Sequence, residues 1–199
     1  MAEAVQPVTA RGEATRQKIL AAAEGEFGER GFHGASVSSI TRRAGVGQGT
    51  FYLYFAGKED ALRELVRGMG RELRRALSVA TEGTEDRLEV EREGFRAFAR
   101  FSLEHDKLYR VVMESQFVDA SIYRDYYETL AGAYTAGLER AQVKGQIRAG
   151  DASVQAWALM GVAHFLGLRY AIWQGREPSE DELSAVFDFI AHGLEPEGD

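Results

Sequence analysis

Cysteine is absent from the 199 residues, which together excludes a disulfide framework, a thiolate zinc site and a cysteine nucleophile. Proline is scarce. The three in the chain, Pro7, Pro178 and Pro196, lie outside every segment with helical periodicity, so nothing interrupts long helices. Strand-like alternation bounded by hairpin turns is missing, as are solenoid-length repeats and low-complexity tracts. The first ten residues hold one acid, Glu3, and Pro7 but no basic cluster followed by an apolar run, so no secretory leader is expected. The longest apolar stretch, Ala156 to Gly167, is too short to span a bilayer and contains His164. A soluble, cytoplasmic protein with no membrane partner is expected. Histidine is also rare: His33, His105, His164 and His192 show no metal-ligand spacing, and no nucleophile-elbow motif occurs. Neither enzymatic activity, nor a metal, nor a cofactor is expected.

Positive charge is short overall, with a net charge of −7, but it is unevenly spread. The first 75 residues carry 12 Lys and Arg against 9 Asp and Glu, while the remainder carries 12 against 22. An excess of bases at one end only fits a chain whose N-terminal part meets a polyanion.

What is present reads as helix throughout, and an all-α fold is expected. The spacing of Ile19, Leu20, Ala23 and Phe27 predicts a first helix over 13–30. Gly25 and Gly28 within it each cost about 1 kcal/mol relative to alanine, so packing must hold it. Ser36 is placed to cap a short helix over 37–44 that Gly45 ends. Another short helix follows over 48–55, and a long one over 58–80. Further helices are expected over 85–105, 107–117 and 121–143. Asp151 is placed to cap a helix reaching Trp173, and Ser179 with Glu182 forms a capping box for the last helix.

Two short helices joined by Ala44-Gly45-Val46-Gly47 form a helix-turn-helix pattern, locked by Val37, Ile40, Val46 and Phe51. The helix from Gln48 turns Gln48, Thr50, Tyr52 and Tyr54 outward, amides and hydroxyls suited to phosphates and base edges in a major groove. Lys58 opens the next helix, where its charge opposes the helix dipole unless a phosphate is bound there. GVGQG is not a nucleotide loop, since no strand precedes it.

The stretch TRQKILAAAEGEFGERGFHGASVSSITRRAGVGQGTFYLYFAGKEDAL resembles the tetracycline-repressor (TetR/AcrR) family. The matching blocks are an ILxAA helix, GF, a small hydroxyl residue before VxxI, AGV, GTxYxYF and a closing lysine-acid-leucine pattern, over about the first 65 residues. Thr41 stands where that family often has alanine and Gly47 where it often has serine, removing one phosphate contact. The resemblance implies that Ser36, Ser38, Gln48, Gly49, Thr50, Tyr52, Tyr54 and Lys58 line double-stranded operator DNA, with Thr15 and Arg16 against its backbone. Arg42 and Arg43 either point to DNA or flank the turn. It also implies a DNA-binding domain over 11–57 and a helical regulatory and dimerisation domain over 58–195, with helix 58–80 linking the two.

The later helices are rich in aromatics. Phe98, Phe101, His105 and Tyr109, with Met113, Gln116 and Phe117, are candidates for a ligand pocket. So are Tyr127, Tyr134, Trp157, Met160 and His164. A small, largely apolar effector is expected there: an aromatic acid, a fatty acid or an acyl-thioester. Arg96, Arg100, Arg110 and Arg124 either meet an anionic head group or pair at the surface. For any single aromatic, core packing is the simpler account, so an effector-independent DNA-binding regulator with a filled core is the alternative. The helix before Trp173 is apolar almost all round and needs cover on several sides. A homodimer is expected, with Phe165, Leu168, Ile172, Phe187, Ile190 and Leu194 at its interface. The whole reads as a ligand-responsive repressor on a palindromic operator.

Overall fold

A computed structural model of the chain describes residues 9–194, and among them there is no β-strand. Helix α1 (Ala10–Gly34) starts where the Thr9 hydroxyl accepts the Gly12 N–H at 3.1 Å. It is broken at Gly31, whose φ of 69° only glycine adopts without strain. Phe32, just past the break, turns inward and donates its N–H to both carboxylate oxygens of Glu114 at 2.9 Å. Helix α2 (Val37–Ala44) begins with a capping box. The Ser36 hydroxyl accepts the Ser39 N–H and the Ser39 hydroxyl accepts the Ser36 N–H, both at 3.0 Å. Helix α3 (Gln48–Tyr54) ends one residue earlier than the sequence predicts, Phe55 being extended. Helix α4 (Lys58–Ala80) follows.

Helix α5 (Arg87–Glu104) is capped by Asp86, which accepts the Glu89 N–H at 3.0 Å. Then come α6 (Asp106–Ser115) and α7 (Ala120–Val143). Asp151 caps α8 (Ala152–Gly167), which does not run unbroken to Trp173. At Leu168–Trp173 the backbone widens into a π-helical stretch. Gly167 is buried there, and the point where its Cβ would stand is 2.9 Å from the Phe98 ring. Helix α9 (Glu180–Leu194) starts with the expected Ser179–Glu182 reciprocal cap.

The chain forms two compact units, and they do not divide at residue 57. Among the described residues, one comprises those up to Met69 together with Lys107–Tyr126; the other comprises Gly70–Asp106 and those from Tyr127 onward. The reason is that α6 belongs to the first unit. Besides the Glu114 contact, Lys107 pairs with Glu29 at 3.3 Å and Arg63 with Asp119 at 3.3 Å. The core of that unit holds Ile19, Phe27, Ile40, Phe51, Phe55, Leu62 and Val66, each at most 2% exposed. In the second unit, Phe95, Leu138, Ala156, Leu159 and Ile190 form a buried cluster. No described helix is long and apolar enough to cross a membrane.

Candidate functional site

Helices α2 and α3 are joined through Gly45, whose φ of 68° and ψ of 34° are left-handed. This conformation lets Val46 N–H close back on the Thr41 carbonyl at 3.0 Å, ending α2 and turning the chain by the shortest route. Ile40 from α2 and Phe51 from α3 are fully buried, and the Phe51 ring packs on Phe55 at 5.5 Å between centroids. A seven-residue helix has no stability of its own; Phe51 is what holds α3 in place.

With Phe51 inward, the other face is exposed. Ser36, Ser38, Gln48, Gly49 and Tyr52 are exposed, and Thr50 and Tyr54 half-buried. Gly47 provides no side-chain cap, so the first N–H groups of α3 have no side-chain acceptor. The Ser36 hydroxyl oxygen is used in capping α2, but its proton is free to donate outward. Leu53, which the sequence reading passed over, is 65% exposed beside Tyr52 at 56%. Its signal was available: on a helix anchored at 51, an aliphatic at 53 cannot also face the core.

The cations of this region are placed otherwise than the sequence suggests. Lys58 does not stand free at its helix start. Its Nζ donates to the Phe32 carbonyl at 2.8 Å and the Ala35 carbonyl at 2.9 Å, and lies 4.3 Å from the centre of the Phe32 ring. The ammonium thus stitches the end of α1 to the start of α4, and the phosphate-clamp reading loses its premise of an uncompensated charge. Arg16 is also engaged, pairing with Glu64 at 2.5 Å and lying over the Phe55 ring. Of the two undecided arginines, Arg43 makes a two-pronged pair with Glu29 at 2.8 Å and reaches Glu26 at 3.3 Å. Gly25 permits this: the point where its Cβ would stand is 2.5 Å from the Arg43 guanidinium carbon. The paired Arg43, then Lys107, holds the Glu29 carboxyl down at about 2. Arg42 is exposed and makes no side-chain bond among the described residues.

The second unit contains a cavity of about 370 Å³. Of the predicted pocket residues, Phe98 and Tyr134 line it. Tyr109, Met113, Gln116 and Phe117 belong to the first unit. Phe117 is 78% exposed, Tyr109 is packed in that unit's core, and the Gln116 amide donates to the Met113 carbonyl. Phe101 is buried against the His105 ring at 4.3 Å. Tyr127 and His164 form a hydrogen bond of 3.1 Å, with the Trp157 ring 6.5 Å from Tyr127. Burial lowers the His164 pKa. Met160 is half-buried on α8. Arg96 pairs with Glu180 at 2.8 Å and Arg100 with Glu177 at 3.6 Å, so neither waits for a head group.

The cavity's charged residues are Arg74, Arg87, Glu91 and Arg140, none of them predicted. One signal pointed there: Arg87 and Glu91 stand four apart in line with Phe95 and Phe98, a charged pair on an apolar helix face. Glu91 is buried and is bonded to Arg87 and to the Tyr134 hydroxyl. Burial pushes its carboxyl above the ordinary value, against the pull of Arg87.

Of the predicted interface residues, Phe165 is 68% exposed, while Leu168 and Ile172 are half-buried. Ile190 is not at the surface; it packs in the second unit's core. Phe187 lies under the Arg92 guanidinium at 4.3 Å. The exposed aromatic of α9 is instead Phe189. The Leu194 side chain lies outside the described residues.

The family model for bacterial regulatory proteins of the tetR family matches residues 19–65, which span α2, α3 and their supports. Over 56 residues the chain is 48% identical to YdgC, an HTH-type transcriptional regulator of Bacillus subtilis strain 168. That match covers 28% of this chain and 29% of YdgC's length. A second relative in the same organism, the fatty acid metabolism regulator protein, is 28% identical over 135 residues, or 64% of this chain and 70% of its own. Among solved structures, Salmonella enterica GusR superposes with a TM-score of 0.79 at 23% identity, covering 95% of this chain and 99% of GusR. Motif and helix geometry agree over residues 19–65, which match the tetR family of bacterial regulatory proteins, and the fold of the whole chain is similar to that of GusR.

Proposed function

We propose that the protein is a ligand-responsive repressor that acts in the cytoplasm as a homodimer on a palindromic operator. The observation that carries the DNA side is the exposed face of α3, fixed from behind by Phe51 and offering Gln48, Gly49, Thr50 and Tyr52. Ser36, Ser38 and Tyr54 complete the proposed contact set, with Arg42 as its free cation. Neutral donors and acceptors on a short helix read base edges, whereas phosphate contacts set position and salt dependence.

The 370 Å³ cavity in the second unit supports an effector over a filled core, being within the range of about 300–1,000 Å³ typical of small-molecule sites. Fatty-acid-class ligands are favoured by the name of the Bacillus subtilis relative. Helices α4 and α7 each continue from one unit into the other, which supports linkage between effector and operator. Such linkage is reciprocal: an effector that weakens DNA binding is itself weakened by DNA. Exposed Val154, Phe165, Trp173 and Phe189 support a dimer through α8 and α9, since apolar surface of this kind marks an interface.

Fluorescence anisotropy of the full chain with its own promoter and with random DNA, across a salt series, tests the reading. Preference for the promoter by about 10³ or more is expected, and equal affinity for both would overturn it. Sedimentation tests the dimer: Phe165→Glu with Phe189→Glu should yield monomers that no longer hold the operator.

A further inference from the structure

Two guanidiniums converge on Gly137 in the second unit's cavity. Arg87 Nη1 is 3.1 Å, and Arg140 Nη2 3.9 Å, from the point where a Gly137 Cβ would stand. Arg74 lines the same cavity, and its only carboxylate is Glu91. That carboxylate is already spoken for by Arg87 and by the Tyr134 hydroxyl. Arg87 Nε is buried without a hydrogen-bond partner. Neither Arg74 nor Arg140 makes a side-chain hydrogen bond or ion pair among the described residues. Three cations against one acid leave the walls positively charged, and like charges drawn together beside apolar surface are unfavourable until an anion joins them.

The charges are also segregated along the helices. On α5, Arg87, Glu91, Phe95 and Phe98 share one face. Arg87 approaches Gly137, and Glu91, one turn on, meets Tyr134, nearly one turn back, so α5 and α7 run antiparallel here. The Arg87–Arg140 end is therefore opposite the end formed by Phe98 and Leu130, about 15 Å away at 1.5 Å per residue.

We propose that this cavity takes an amphipathic anion, with a carboxylate or similar oxyanion head facing Arg87, Arg140 and Arg74 and an apolar body directed toward Phe98. As an account of the effector, it rests on the ligand-responsive reading above. A neutral ligand would leave the guanidiniums without a counter-charge, and a cationic one would face all three. Gly137 keeps the head space open, because a methyl there would press on Arg87.

The test is isothermal titration of the full chain with decanoate, 4-phenylbutyrate, decanol and decyltrimethylammonium. At least one of the two carboxylates should bind about tenfold tighter than the alcohol and the cation. Arg74→Gln and Arg140→Gln have no partner to lose and should melt like wild type, and each should weaken carboxylate binding about tenfold while leaving decanol unchanged. Gly137→Ala should weaken the carboxylates as well. Failure of both carboxylates to bind, equal binding of the alcohol or the cation, or wild-type carboxylate affinity in both Arg→Gln variants overturns the proposal. Operator anisotropy with saturating ligand separates it from the effector reading. If the carboxylate binds in an arginine-dependent way yet leaves DNA affinity unchanged, the anion site stands and the effector reading fails. If decanol releases DNA and neither carboxylate binds, the effector reading stands and the anion site fails.

Discussion

The two compact units use their cations in opposite ways. In the first, Lys58, Arg43 and Arg16 are bound to carbonyls and carboxylates of the same unit. In the second, Arg74 and Arg140 line a cavity without partners, and Arg87 shares one carboxylate with a tyrosine. The difference teaches that a local excess of bases is a poor map of where an anion binds. In the head the basic residues are largely structural, and the surface proposed to meet DNA is made of hydroxyls, an amide and backbone N–H groups. In the second unit, it is the unpaired cations lining the cavity that mark the proposed anion site.

The contrast is broken or sharpened most severely by removing what holds the head's surface helix. Phe51→Ala should cost about 3–5 kcal/mol, since it empties a fully buried ring site. Hydrogen exchange should show α2 and α3 losing protection while α8 keeps it; uniform loss would mean that the two units do not differ in this way. Lys58→Met comes next. Loss of two charge-assisted bonds to carbonyls should lower stability by about 1.5–3 kcal/mol in urea denaturation. An unchanged midpoint together with a salt slope reduced by about 1 would instead make Lys58 a phosphate ligand and erase the contrast.

Ser36→Ala should cost about 1 kcal/mol through loss of the α2 cap, read by thermal melting. Arg42→Gln should leave stability within about 0.5 kcal/mol and lower the salt slope of operator binding by about 1. The smallest effect is in acid. The folded Glu29 carboxyl keeps its charge down to about 2 against an ordinary 4.5, so the unfolded chain takes up the proton first. The contribution of the Glu29–Arg43 pair is thus complete above about 4.5 and fades as pH falls toward 2. Glu29→Gln should flatten that part of a pH–melting curve.

The head was legible because its determinants are local. The Ser36 cap, the Gly45 turn and the buried Ile40 and Phe51 lie within 20 residues of one another, and each carries its own residue signature. What escaped there were contacts to distant or backbone partners: Lys58 reads as a free ammonium unless one knows that two carbonyls of α1's end stand beside it. The charged lining of the cavity was missed for the same reason on a larger scale. Its walls come from α4, α5, α7 and α8, and aromatic content alone cannot tell a lining ring such as Phe98 from a stacked one such as Phe101. Glycine was equally ambiguous. Gly25 reads as a weakness of α1 until the Arg43 guanidinium is seen lying across it.

The bond from Phe32 N–H to Glu114 sets an order of events during synthesis. Its partners are 82 residues apart, and at about 5–20 residues per second the ribosome needs roughly 4–16 s to make the intervening chain. For most of that interval α1, α2 and α3 are already made, but the turn after Gly31 lacks its acceptor. The DNA-reading unit of a nascent chain is therefore finished only after α5, with its share of the cavity wall, has been translated. A truncation that stops after α4 would retain every residue of the helix-turn-helix and still leave its supporting turn unsatisfied.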